Sequence, residues 1–373
     1  MKICLISNLY KPYNRGGAER IVDLMASDYA SQGHEVFIVS TRPWFKKQTA
    51  YGARNNSESG QSKNAPRVFF IPGLYFNLAR LPLILRVPWH LIDMFDAVSC
   101  FRVRKILKKE KPDLVITHNL KGISYLVPRL LKNLGIKHTH YLHDIQLVFP
   151  SGILYYGEEK KLDSLSARIY QRLLIRLFNS PETVLSPSKW LLDLHTWRGF
   201  FKDSKKEARD NSVLINALNS GPPETKDGTG KEFKFLFAGQ IEKQKGIEVL
   251  IKAFFGLAGA CLTIAGDGGL MEKIKQESGN GGRIFVLGKK SPKEVLRLMA
   301  QSDCLVVPSL CYENSPSVIY EAIAQKLPII ASNIGGIPEL IKKYGGKLFI
   351  PGSAEDLKKK MEEAIDEARR KVV

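Results

Sequence analysis

The stretch CYENSPSVIYEA, residues 311–322, sets two glutamates, Glu313 and Glu321, eight positions apart around Ser315 and Pro316. The run CLVVPS at 304–309 reads as a buried β-strand, CYENSP as the loop after it, and SPSVIYEAIAQ as the helix that follows. Ser315 is a natural N-cap and Pro316 suits the first helical position, which leaves the amides of Ser317 and Val318 free. Free amides at a helix start bind phosphate, so Asn314 to Val318 form a candidate anion-facing turn. Glu313, in the loop, is placed to accept hydrogen bonds from sugar hydroxyls. Glu321, about one and a half turns into the helix, is placed to hold a second diol, or is a plain helix acid in a favourable dipole position. Carboxylates on either side of a phosphate site describe a nucleotide sugar.

Outward from this strand–loop–helix unit the same alternation repeats. Aliphatic runs at 2–7, 35–40, 113–118, 137–143 and 183–186 are separated by amphipathic patterns such as 18–33 and 103–111. A second series of runs follows at 233–239, 260–266, 283–288, 304–309, 328–332 and 347–350. Strands alternating with helices make βαβ units, so the chain reads as α/β with two Rossmann-like, doubly wound parallel sheets. The charged, Gly- and Pro-rich stretch 202–232 predicts the hinge, which divides the chain into domains 1–212 and 213–373 with a cleft between them. Residues 45–66 read as a polar loop. Ligands of such sheets sit at the carboxyl ends of the strands.

The formal net charge is +19, and it is unevenly spread: residues 1–212 hold 33 Lys and Arg against 18 Asp and Glu, residues 213–373 hold 23 against 19. A basic first domain fits acidic phosphates, an anionic lipid surface, or a solvated face with no partner. The absence of zinc-finger spacing or an RNA-binding aromatic motif argues against nucleic acid. Five cysteines without a C-x-x-C pair read as free thiols of a reducing cytosol. No window reaches the apolar length of a membrane span, and the N-terminus reads as a strand, not a signal peptide. The segment 73–95, rich in Leu, Phe, Trp and Arg, suits either a membrane interface or a core-packing lid.

The remaining candidates also lie at strand ends. Gly239 and Gln240 end one strand, and Lys245 before Gly246 opens the next helix, where an ammonium can pair with a diphosphate. Gly266 and Gly268 form a turn that lets backbone approach a ligand or base closely; this turn and the Lys245 loop also read as plain βα turns. In the first domain Gly16 and Gly17 precede a helix and offer amides to an anion, without the G-x-G-x-x-G of dinucleotide enzymes. His118 and His143–Asp144 lie at strand ends, where the histidines can hydrogen-bond sugar hydroxyls or a carbonyl, or are satisfied surface or loop histidines. The chain has no D-x-D and no metal-ligand spacing, hence no metal or other cofactor is expected. It also lacks a G-x-S-x-G elbow and a P-loop.

Taken together, these residues resemble the family 4 glycosyltransferases, retaining enzymes of the GT-B fold, over about residues 2 to 360. Glu313 to Glu321 looks like the family's E-x(7)-E motif, GQIEKQKG (239–246) like its G-R-L-x-x-x-K-G, and GGAER (16–20) like its N-terminal G-G-x-E loop. AIAQKLPIIASNIGGIPELI (322–341) is similar to the stretch after the second glutamate, and THNLKGIS and YLHDIQLVFPSG resemble the subgroup that builds bacterial surface polysaccharides. The resemblance implies a donor site in the second domain and an acceptor site in the first. Lys245 would hold the diphosphate, Glu313 the sugar hydroxyls and Glu321 the ribose. His143 would lie near the reacting carbon, and Gly16–Gly17 near phosphate or acceptor. Gln240 stands where the family carries a diphosphate arginine, and the segment 358–373 ends where a further C-terminal helix is usual.

The expected function is therefore transfer of a sugar, with retention, from a nucleotide-diphosphate sugar to an acceptor hydroxyl on a glycan or lipid-linked acceptor. Bacterial cell-surface glycan synthesis is the setting, in the cytoplasm or peripheral on the cytoplasmic face of the plasma membrane. The alternatives are a non-hydrolysing nucleotide-sugar epimerase and, prompted by Gln240, a catalytically weak sugar-nucleotide-binding scaffold.

Overall fold

The computed structural model describes residues 1–13, 16–44, 66–73, 76, 82–179, 181–218, 232–279 and 282–370. The chain folds as two compact units, residues 1–150, 164–187 and 191–209 forming the first and residues 151–163, 188–190 and 210–373 the second. Residues 151–163, 188–190 and 210–212, which the sequence reading assigned to the first domain, thus pack with the second unit.

The first unit runs β1 (Lys2–Ile6), α1 (Gly17–Ser31), β2 (Glu35–Pro43), β3 (Arg67–Gly73), α2 (Leu83–Met94), α3 (Ala97–Glu110), β4 (Leu114–Thr117), α4 (Val127–Asn133), β5 (Lys137–Tyr141), α5 (Leu165–Phe178), β6 (Thr183–Ser186), α6 (Lys189–Trp197) and β7 (Lys205–Ala208). Its seven strands are parallel, in the order β3-β2-β1-β4-β5-β6-β7. Central β1 is buried almost throughout, as its unbroken KICLI run requires when helices cover both faces. The sequence reading passed over β3 and β7, and both lie at sheet edges. At an edge one side of the strand is unpaired, so charge is tolerated; β7 is KKEA, largely exposed, inside the stretch read as hinge. The polar loop expected at 45–66 lies outside the described residues save for Pro66, as does much of the hinge beyond 218.

The second unit runs α7 (Val213–Leu218), β8 (Phe233–Ala238), α8 (Ile247–Phe254), β9 (Ala260–Ala265), α9 (Met271–Ser278), β10 (Ile284–Gly288), α10 (Pro292–Gln301), β11 (Cys304–Val307), α11 (Ser317–Ala324), β12 (Ile329–Ser332), α12 (Ile337–Tyr344), β13 (Lys347–Phe349) and α13 (Ala354–Arg370). Its six parallel strands take the order β10-β9-β8-β11-β12-β13. Leu357, Met361 and Ile365 recur on one face of α13 and join the core formed with α8, each such burial contributing about 1.5–3 kcal/mol. Two parallel α/β sheets in succession are the GT-B fold. All five cysteines are free, and no helix among the described residues is long and apolar enough to cross a membrane.

Candidate functional site

In both sheets the order reverses beside the first strand, and the candidate residues gather at the strand ends around that point. In the second unit Lys245 closes a short 3-10 turn after β8, and Gly246 starts α8 with φ of 69°. A Cβ at Gly246 would stand 1.7 Å from the carbonyl oxygen of Pro308, so only glycine lets the turn lie against the end of β11. That packing carries the Lys245 ammonium to the loop after β11, where Nζ meets Glu313 Oε2 at 2.7 Å. Ser309 donates its hydroxyl to the other carboxylate oxygen of Glu313. Burial opposes the Lys245 charge, but the charge and hydrogen bond of Glu313 outweigh it and hold the ammonium above its ordinary value.

The loop after β12 braces Glu313 from behind. The Gly336 amide donates to the Glu313 carbonyl at 2.9 Å, and a Cβ at Gly335 or Gly336 would fall 2.2 Å or 2.0 Å from the carbonyl oxygens of Glu313 and Asn314. Asn314 is buried and accepts the Ser188 hydroxyl at 2.5 Å. Glu339, on α12, receives the amides of Lys189 and Trp190 at 2.8 and 2.6 Å. Below the loop, Tyr312 stacks on Trp190 with centroids 5.4 Å apart and donates to Glu159 at 2.5 Å, while Tyr155 bridges Cys311.

Two expectations change at α11. The helix starts at Ser317 with Pro316, not Ser315, as its N-cap, because the Ser315 hydroxyl is engaged with the Tyr320 hydroxyl at 2.7 Å. The end is left without a side-chain cap, so the Ser317 and Val318 amides remain at an uncapped helix start. Glu321 is the fifth residue of α11 and half-buried. The glycines after β8 and β9 also read differently. A Cβ at Gly266 would meet the Gly239 carbonyl oxygen at 1.8 Å, and one at Gly268 the Ile241 carbonyl oxygen at 2.5 Å. Their close approach is of one loop to the other, while Gly239 and Gln240 themselves are exposed.

In the first unit the Gly16 amide, expected to be open to an anion, is taken by the Glu19 carboxylate at 2.8 Å; Gly17 begins α1. The short side-chain reach of three residues back to the helix start explains it. After β4 and β5, His118 Nδ1 and His143 Nε2 lie 2.8 Å apart. His118 is fully buried and its Nε2 has no partner. An orphaned buried N–H is costlier than an idle lone pair, which puts the His118 proton on Nδ1, donating to His143. Burial pushes His143 down to about 3 and His118 well below its ordinary value, so both rings are neutral near pH 7. Asp144, raised to about 6 by burial, accepts from Gln146 N at 2.7 Å and from Asn119 at 3.3 Å.

Several groups here escaped the sequence reading. Buried Asp93 accepts the Gly122 amide at 2.6 Å and is raised to about 7 by burial, and Lys121, lowered by burial, donates to the Pro150 carbonyl at 3.1 Å. Ser309 and Ser188 were missed as well. No local signal marks Ser188, whose partner Asn314 is 126 positions away, whereas Ser309 lies only four residues before Glu313 in the same loop. Among the described residues no three His, Cys, Asp or Glu side chains gather as metal ligands.

The profile of Glycosyltransferase Family 4 matches residues 15–204, and that of glycosyl transferases group 1 matches residues 224–372. A 42.6 kDa protein of the cps region of Klebsiella pneumoniae is 27% identical over 347 residues, 91% of this chain and 87% of its own. A UDP-Gal:alpha-D-GlcNAc-diphosphoundecaprenol alpha-1,3-galactosyltransferase of Escherichia coli is 26% identical over 300 residues, 74% of this chain and 68% of its own. Among solved structures, HepE of Anabaena in complex with UDP superposes with a TM-score of 0.70 at 18% identity, covering 99% of this chain and 91% of that one.

Proposed function

Since the chain belongs to the family 4 glycosyltransferases, we propose that it moves a sugar, with retention, from a uridine-diphosphate sugar to a hydroxyl of a glycan or lipid-linked acceptor in bacterial surface-glycan synthesis. The observation that carries this reading is the Lys245–Glu313 pair beside the uncapped start of α11. It sets a cation, a carboxylate and helix amides within one strand-end cluster, the donor set of a sugar diphosphate. The uridine base follows the UDP bound in the HepE structure and the UDP-Gal named for the E. coli relative.

In this reading the bond from the sugar's anomeric carbon to the diphosphate oxygen breaks, and a bond to the acceptor oxygen forms on the same face. The acceptor proton passes to a phosphate oxygen of the leaving diphosphate. Lys245 and the amides of Ser317 and Val318 steady the charge gathering on that group, and Glu313 and Glu321 orient sugar and ribose hydroxyls. His143, neutral, serves as a hydrogen-bonding group toward sugar or acceptor, not as an acid. No step calls for a metal, and activity is expected to survive EDTA.

A thermal-shift panel of UDP, GDP, ADP and their sugar conjugates tests the donor, because a ligand of the folded state raises the melting temperature. A shift with UDP compounds alone is the expected result, and no shift with any nucleotide refutes the donor site. Anomeric configuration of the product, read by NMR, tests retention. Gln240 favours the binding-scaffold alternative, under which nucleotide shifts Tm but no acceptor is ever glycosylated.

A further inference from the structure

Five large apolar side chains exposed to water fall within eleven residues of the first unit. Leu91, Ile92 and Phe95 lie at the end of α2, Val98 and Phe101 on the first turns of α3, and each is between 45% and 58% exposed. Scattered apolar residues need no explanation, but a contiguous group does. On α3 the inner face is Ser99, Val103, Leu107 and Glu110, so Val98, Phe101, Lys105 and Lys108 recur on the outer one. The Lys105 ammonium stands 4.8 Å from the Phe101 ring centroid, and the Arg102 guanidinium 5.3 Å from the ring of exposed Trp44.

The charge of this face is one-sided. Helix α3 packs on α4 and α4 on α5. They carry five, two and three Lys or Arg respectively, and the acid within them, Glu110, is buried and paired with Lys2 and Arg67 at 2.9 and 3.0 Å. Asp96, at the start of α3, is used as its N-cap. Between α3 and α4 runs a groove of about 320 Å³, floored by Cys100, Phe101, Leu126 and Leu130 and rimmed by Arg104 and Arg129. Beyond it α5 exposes Leu165 and Ile169 beside Arg168, Arg172 and Arg176.

We propose that the outer face of α2 to α5 seats the first unit on an anionic phospholipid surface. The apolar side chains enter the boundary between headgroups and acyl chains, and the arginines and lysines engage lipid phosphates, the pairing that interfacial helices use. A nucleic acid would satisfy the charges but leave Leu91, Ile92, Phe95, Val98 and Phe101 in water. The purpose of the docking rests on the reading of the acceptor as lipid-borne, whereas the docking itself is measurable without sugar transfer.

The test is co-sedimentation with vesicles of phosphatidylcholine alone and of phosphatidylcholine mixed with phosphatidylglycerol, at low and high salt. The protein is expected to sediment with the mixed vesicles at low salt and to leave those of phosphatidylcholine alone. Arg104→Gln/Lys105→Gln/Lys108→Gln should weaken binding by about a hundredfold, each basic side chain near the surface counting for several-fold. Ile92→Ser/Phe101→Ser should weaken it by about tenfold at low salt with the basic residues intact. Melting curves and UDP shifts of both variants should match those of the wild type, which separates loss of membrane binding from loss of the fold. Failure of the wild type to sediment with anionic vesicles overturns the proposal. So does duplex DNA that binds both wild type and the Ile92→Ser/Phe101→Ser variant equally and displaces the vesicles. Sedimentation without a nucleotide shift would leave the surface standing and remove the donor reading instead.

Discussion

The Lys245–Glu313 pair makes an asymmetric prediction. Replacing Lys245 by Ala removes the cation that would face the diphosphate, and a charge-assisted hydrogen bond is worth about 1.5–3 kcal/mol, so UDP affinity should fall by roughly 10- to 150-fold. Stability should change little more than modestly. The pair is 28% and 14% exposed, and Glu313 keeps the Ser309 hydroxyl, so the cost is about 1–2 kcal/mol, well under that of breaking a fully buried pair. Glu313→Gln acts in the opposite sense on the free nucleotide. It frees Lys245 from an anion held at 2.7 Å, so UDP binding should be equal or tighter. Sugar transfer should nevertheless drop about 100-fold, the cost of losing one group aimed at the transition state. Calorimetry with UDP and turnover with the UDP-sugar measure both arms. Equal losses of UDP affinity in the two variants, or wild-type turnover in Glu313→Gln, would refute the assignment.

Gly246→Ala should lower Tm and UDP affinity together, because its Cβ would meet Pro308 O at 1.7 Å and push Lys245 away from its position. Gly282→Ala, at φ of 62° with nothing within 4 Å, is the control that carries only the left-handed backbone cost of roughly 1–2 kcal/mol. Gln240→Arg, on an exposed loop, should tighten UDP binding by about tenfold by restoring a cation toward the diphosphate; unchanged affinity by calorimetry would mean that the loop faces elsewhere. Urea melts should show stability falling as pH drops below 6.5. His118, His138, His140 and His195 are almost wholly buried, burial depresses all four, and the unfolded chain therefore binds more protons in the range from 6.5 down toward 4. Each contributes up to about 1.4 kcal/mol per pH unit. Asp93 and Asp144, raised to about 7 and about 6, work in the other direction but are outnumbered. Equal stability at pH 7.5 and 5 would contradict this.

What the sequence made legible was what is local. A strand, a loop and a helix start are written in consecutive residues, so Lys245 and Glu313 could be placed before any pairing was known, and the opening of α11 to within one residue. Edge strands were harder, since half of their hydrogen bonds face solvent and nothing forces an apolar run on KKEA at 205–208. Glycines were harder still. A glycine signals that something comes close, but Gly266 and Gly268 do not say whether it is a ligand or the carbonyl of a neighbouring loop. The same limit hid the groups that brace the site. Ser188 and Asn314 are 126 positions apart and meet only because two segments converge.

The brace also explains why the loop after β11 can hold a charged group without local secondary structure. Glu313 is fixed by contacts at both ends, its carboxylate by Lys245 and Ser309, its carbonyl by the Gly336 amide. Next to it, Asn314 is locked by Ser188. A residue fixed at both its carboxylate and its carbonyl loses its freedom before any substrate arrives, as the proposed transfer would require of a preorganised carboxylate. The acid placed ahead of a helix start in a basic chain is therefore not a stray charge. Its neighbours neutralise it and fix it beside a helix start that carries no side-chain cap.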